Sequence, residues 1–126
     1  MGLYPGNIYS PWGGSSDAVP SFPAELNAGN KTGASSINVS AVLNQLITLT
    51  GNATLTINGL IAGKSQWGQL KVVQGGAGNF TLAIANSQSP GGLGLTLSTA
   101  AGSKDLVGFY WDGAALFVQV EGLAFS

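Results

Sequence analysis

The side chains in this sequence that could do acid–base chemistry are five acids (Asp17, Glu25, Asp105, Asp112, Glu121) and four lysines (Lys31, Lys64, Lys71, Lys104). Histidine, cysteine and arginine are absent. That inventory removes imidazole-based triads, thiol chemistry and imidazole or thiolate zinc sites. Glycoside hydrolysis needs two carboxylates facing each other across a cleft, whereas these acids fall mainly at expected turns and near the ends of the chain. Asp112 precedes Gly113 between two apolar runs, where a hairpin turn explains it. Asp105 follows Lys104 at the start of an expected strand, which predicts a solvated ion pair. The run Gln74–Asn79 is rich in glycine, but no Lys-Ser/Thr follows it and no helix is expected after it, so it is not a phosphate loop. Four Asn-X-Ser/Thr triplets begin at Asn30, Asn38, Asn52 and Asn79 and arise readily in an Asn- and Thr-rich β protein. No enzyme, cofactor or metal is expected.

The side chains left to carry function are aromatic. Trp111 sits in the most apolar run and reads as core. Trp12 lies in a proline-rich N-terminal stretch and Trp67 in the polar segment Gly63–Gly68, so neither has a place in the strand pattern. Each could stack on a sugar or anchor a protein interface. Few Asp, Glu, Asn or Arg residues neighbour either ring in sequence, which favours protein contact over carbohydrate. With Trp12, the residues Tyr4, Ile8, Tyr9 and Phe22 form a candidate contact arm, and Trp67 is a candidate loop contact.

The elements that must position these residues follow from composition and periodicity. Charged residues make up 7% of the chain and its formal net charge is −1, against about a quarter charged in ordinary soluble domains. No cluster of cations exists to neutralise phosphates, so nucleic acid is not an expected partner. So little charge also removes the repulsion that keeps monomers apart, which points to assembly. No run of about 18 apolar residues predicts a membrane span, and the N-terminus lacks the pattern of a secretory signal.

Residues 1–33 hold Pro5, Pro11, Pro20 and Pro23 and predict an extended arm in place of a sheet strand, lying either on a partner or on its own domain. From Ala34 onward apolar residues recur with period two between Gly and Asn breaks. Ile37 and Val39 mark a first strand, Leu46–Thr50 a continuation or a second one, and Gly51-Asn52 a turn. Ala53, Leu55 and Ile57 follow. Leu70–Val72 and Phe80–Ile84 predict a hairpin around Gly75–Gly78, Leu93–Leu97 another strand, and Leu106–Trp111 with Ala115–Val120 a hairpin about Asp112-Gly113. Residues 34–126 are therefore expected to form an all-β domain, a jelly-roll-like antiparallel β-sandwich.

Four segments carry a resemblance: Leu49–Thr56 (LTGNATLT), Val72–Leu82 (VVQGGAGNFTL), Leu97–Asp105 (LSTAAGSKD) and Phe109–Gly113 (FYWDG). In this order they resemble the β-rich modules of tailed-bacteriophage virion structural proteins. The resemblance implies a non-enzymatic virion component, commonly a homotrimer, that binds the major capsid protein, other virion proteins or the host surface. It transfers no catalytic residue. Such modules usually end long fibre proteins, and here only a short arm precedes the module. A capsid decoration (cement) protein on the virion surface, made in the host cytoplasm, is therefore the expectation, with a tail-fibre or receptor- or carbohydrate-binding sandwich as the alternative.

Overall fold

A computed structural model describes residues 21–126. Tyr4, Ile8, Tyr9 and Trp12 of the candidate arm lie outside the described residues. Period-two alternation becomes seven strands: β1 (Leu26–Asn38), β2 (Gln45–Asn58), β3 (Gln66–Gln74), β4 (Leu82–Ile84), β5 (Ser87–Gln88), β6 (Lys104–Trp111) and β7 (Leu116–Phe125). They form one sheet in the order β1-β2-β3-β6-β7-β5, with β4 pairing to β2. The domain is all-β.

The expectation of an antiparallel sheet does not hold. β1 runs parallel to β2, β2 parallel to both β3 and β4, and β5 parallel to β7; only β3–β6 and β6–β7 are antiparallel. Alternation along a strand reports which face is buried and is blind to the direction of the neighbour. The chain winds as a coil: residues 39–44 return it to lay β2 beside β1, and residues 59–65 return it again to lay β3 beside β2. This winding replaces the jelly-roll order. Stacked turns place like on like, as in Ile37 over Ile57, Ile47 over Val72 and Leu55 over Ile84.

Gly51-Asn52 is a corner inside β2 and not a hairpin turn. Before it, Gln45–Leu49 pairs with β3; after it, Ala53–Leu55 pairs with β4. A Cβ at Gly51 would collide with the Thr32 side chain, and Asn52 Oδ1 accepts the Thr81 N–H at 2.9 Å, tying this corner to the next turn of the coil. Gly75–Gly78 is likewise a corner, since the segment after it joins β2 and not β3. Leu93–Leu97 forms no strand; Leu95 and Leu97 pack against the core from irregular chain, while Leu93 is exposed.

The arm boundary also moves. Leu26–Gly33, assigned above to the arm, belongs to β1 and pairs with β2 through two register shifts, one between Asn27 and Asn30 and one between Lys31 and Gly33. Gly29 and Gly33 take φ of 84° and 61° there, conformations that glycine reaches freely. Such bulges hide the alternation from a period-two reading.

Both halves of β2 face one core. Ile47 and Leu49 on one side of the corner, and Leu55 on the other, are fully buried, and they share a cluster with Leu70, Val72, Leu82, Val107 and Phe109. The bent sheet thus encloses its apolar side in a sandwich-like way. Each such side chain contributes on the order of 1.5–3 kcal/mol by leaving water.

The β6–β7 hairpin forms about Asp112-Gly113, although its loop runs to Ala115. Asp112 donates its N–H to the Ala115 carbonyl at 3.1 Å, and its Oδ1 accepts the N–H groups of Ala114 and Ala115 at 2.8 and 2.7 Å. Of the two turn residues only Gly113 has positive φ, at 103°. The Ala115 hydrogen bond first, then that of Ala114, holds the Asp112 carboxyl below its ordinary 3.8. A carboxyl whose folded value is depressed contributes stability that is complete above the unfolded value and is lost as pH falls through the folded one. The thermal midpoint of the parent should therefore decline faster than that of Asp112→Asn as pH is lowered from 5 through the acid range. Parallel pH profiles would contradict this.

Candidate ligand-binding groove

Three strands build the candidate site. Trp67 on β3 is the register partner of Tyr110 on β6, which is the partner of Phe117 on β7. All three rings stand on the outer face of the sheet, with relative exposures of 54, 46 and 40%. Strands lie about 4.8 Å apart, so the row spans roughly 10 Å. The Tyr110 and Phe117 rings stack at a centroid distance of 6.5 Å and an interplanar angle of 29°. Phe22 meets Trp67 edge-on at 5.8 Å and 82°.

The next row is polar with a glycine at its centre. Gln69 of β3 pairs with Gly108 of β6, and Gly108 with Gln119 of β7. Gly108 has no side chain to fill the space above the sheet. A register irregularity between Leu106 and Val107 lets Glu121 fold back over it, and a Cβ at 108 would collide with the Glu121 carboxylate. Gln69 Nε2 donates to Glu121 Oε1. Gln69 Oε1 is enclosed and has no hydrogen-bond partner among the described residues.

Together the two rows line a groove of about 610 Å³, to which Gln88, Ser89 and Pro90 also contribute. Among the described residues Glu121 is the one charged side chain on its lining. The nearby Lys71 pairs with Glu25 at 3.1 Å. Among the described residues no group of three or more His, Cys, Asp or Glu could hold a metal ion, and no helix is long and apolar enough to cross a membrane.

Of the residues singled out from sequence, Trp67 and Phe22 come together here. Trp67 is a strand residue, however, and not part of a loop: Gln66 begins β3, and its side chain holds the preceding turn by accepting the Ile61 N–H at 2.7 Å and donating to the Gly59 carbonyl at 3.2 Å. Trp111 packs against the core and donates its indole N–H to the Ile61 carbonyl at 2.8 Å. Tyr110, Phe117, Gln69, Gln119 and Glu121 were not singled out. Gln119 and Glu121 lie about fifty residues beyond Trp67, so the polar companions missing near that ring in sequence arrive through strand pairing. The available signal was the outward phase of Tyr110 and Phe117 across the Asp112 hairpin.

The solvated Lys104–Asp105 pair does not form. Asp105 is buried on the inner face, where Oδ2 accepts the Ser98 N–H at 2.7 Å and Oδ1 the Ala124 N–H at 2.8 Å.

No family model matches the chain, and no curated protein or solved structure does so either.

Proposed function

We propose that this chain is a non-enzymatic structural protein of a tailed-bacteriophage particle, a decoration protein that sits on the head shell, self-associates as a homotrimer and contacts the major capsid protein. The observation that carries this reading is the open side of the coil. Among the described residues β1 pairs only with β2, leaving a 13-residue edge beside the exposed Phe22 and Leu26, at the point where residues 1–20 join the domain. A long unpaired edge is a template for another chain, and the low charge of the sequence offers little repulsion against it.

The four segments of the phage resemblance also fall at structural points of this fold. They occupy the β2 corner, the corner after β3, the approach to β6 and the β6–β7 hairpin. The motif series therefore describes a coil and its closing hairpin, a rigid scaffold able to present an edge and an arm. Contacts made only in the assembled state stabilise that state by mass action. Interfaces of this kind bury on the order of 1,600 Å², an area that an arm added to a strand edge can reach. No catalytic role is assigned to any residue.

Antibody labelling of intact particles from the source of this sequence tests the assignment by electron microscopy. Label distributed over the head is the expected result. Label confined to the tail tip would favour the fibre or receptor-binding reading, which the groove also supports, and absence of label from particles would defeat both.

A further inference from the structure

We infer that the groove over Gly108 is a binding site for a neutral saccharide, one or two pyranose rings in length. This site is independent of where the protein sits in a particle and goes beyond the assembly role. A pyranose ring is amphipathic: its C–H face is apolar and its rim carries hydroxyls that both donate and accept. The groove offers the matching pair of rows. Trp67, Tyr110 and Phe117 supply ring faces for the C–H side. The amides of Gln69 and Gln119 and the Glu121 carboxylate, one strand step along, supply donors and acceptors for the hydroxyls.

The geometry favours this ligand over the alternatives. Gly108 leaves room for the Glu121 carboxylate to lie low over the sheet, on the lining of a groove of about 610 Å³ that falls within the range of small-molecule sites; a protein interface would be better served by a filled, flat face. Glu121 is the only charge on the lining among the described residues, which disfavours uronic or sialic acids and other anions. Gln69 Nε2 is engaged with Glu121 while its Oε1 has no partner among the described residues, so this amide keeps an unused acceptor beside the groove. A carboxylate accepting from a sugar hydroxyl forms a charge-assisted bond, stronger than its neutral equivalent.

The full chain should be titrated with neutral hexoses, N-acetylhexosamines and their disaccharides, with a uronic acid as the anionic arm, following backbone amide shifts by NMR. Saturable binding of at least one neutral sugar is expected, with shifts clustered at residues 67–69, 108–110 and 117–121. Trp67→Ala should weaken it about tenfold, equivalent to ~1.4 kcal/mol, and Trp67→Phe less. Gly108→Ala, which drives Glu121 off the groove floor, and Gln119→Ala, at an exposed position, should each weaken it severalfold while leaving the thermal midpoint near that of the parent. Should Trp67→Ala not fold, Gln119→Ala and Gly108→Ala carry the test.

Several results would overturn the inference. These are no saturable binding by about 10 mM, tenfold above a Kd worth roughly −4.1 kcal/mol, a preference for the uronic acid, shifts that map elsewhere, or concentration-dependent self-association that covers Trp67. Particle labelling reads a different property, so the groove and the virion assignment can fail separately.

Discussion

Replacing Asp105 by alanine is expected to destabilise the domain by about 4 kcal/mol. Its carboxylate is 1% exposed and holds two backbone N–H groups, those of Ser98 and Ala124, at 2.7 and 2.8 Å. It thereby joins three pieces of chain: the irregular segment after Leu93, β6, and the end of β7. Ala124 adopts a φ of 55°, a left-handed conformation that non-glycine residues rarely take, and its N–H points at Asp105. Hydrogen bonds to a charged group contribute about 1.5–3 kcal/mol each, and removing the acceptor strands both donors. Against a total stability on the order of 5–15 kcal/mol, the change brings the domain close to unfolding. At roughly 4 °C per kcal/mol for a chain of this size, the thermal midpoint should fall by about 15 °C. Asp105→Asn should fall by about half as much, since the amide accepts one N–H and turns a donor toward the other. A midpoint for Asp105→Ala within about 2 °C of the parent would contradict this role.

Gln74→Leu is expected to cost about 3 kcal/mol, although leucine has nearly the same volume. Gln74 is buried at the end of β3, where Nε2 donates to the carbonyls of Phe80 and Ser98 at 2.7 and 3.0 Å and Oε1 accepts the Phe80 N–H at 3.1 Å. One amide thus closes the Gly75–Asn79 corner and pins the returning chain beside it. Leucine leaves three backbone groups without partners, at about 1 kcal/mol or more each. The loss should be local in hydrogen exchange: Phe80 and its neighbours lose protection first, while β6 and β7 amides keep theirs until global unfolding. Uniform loss of protection across the sheet would show that the corner is not held in this way.

These two residues also mark where sequence reading stops. Alternation in β2, β3, β6 and β7 placed the strands and most of the core, because a half-buried strand needs an apolar residue at every second position. The Asp112 hairpin was legible because its turn is local. Pairing direction was not, and the corners at Gly51-Asn52 and Gly75–Gly78 looked like hairpins because Gly and Asn serve both. What separates a corner from a hairpin here is a set of side-chain-to-backbone contacts, Asn52 to Thr81, and Gln74 to Phe80 and Ser98. Gln45 shows the same device, donating to the carbonyls of Asn38 and Val42 at 2.7 and 2.8 Å to close the return before β2. A buried glutamine is indistinguishable in sequence from a solvated one, and so is a buried Asp105 beside Lys104.

The groove was legible only in part. Trp67 stood out as an aromatic without an expected core position, and Phe22 as a contact residue of the expected arm. Their companions depend on β3, β6 and β7 lying side by side, which no spacing along the chain reports. Gly108 lies unremarked inside the expected strand Leu106–Trp111; in the sheet it makes room for the Glu121 carboxylate.

The proposed attachment to a phage head can be measured directly. The most direct measurement is to add the purified full chain to phage head shells that lack it and to quantify bound copies by co-sedimentation, beside a chain lacking residues 1–25. Saturable binding of the full chain, with shells that then resist heat better, and reduced occupancy by the truncated chain are the predicted results. A full chain that stays in the supernatant as a free monomer, or a truncation that binds as well as the parent, would contradict it.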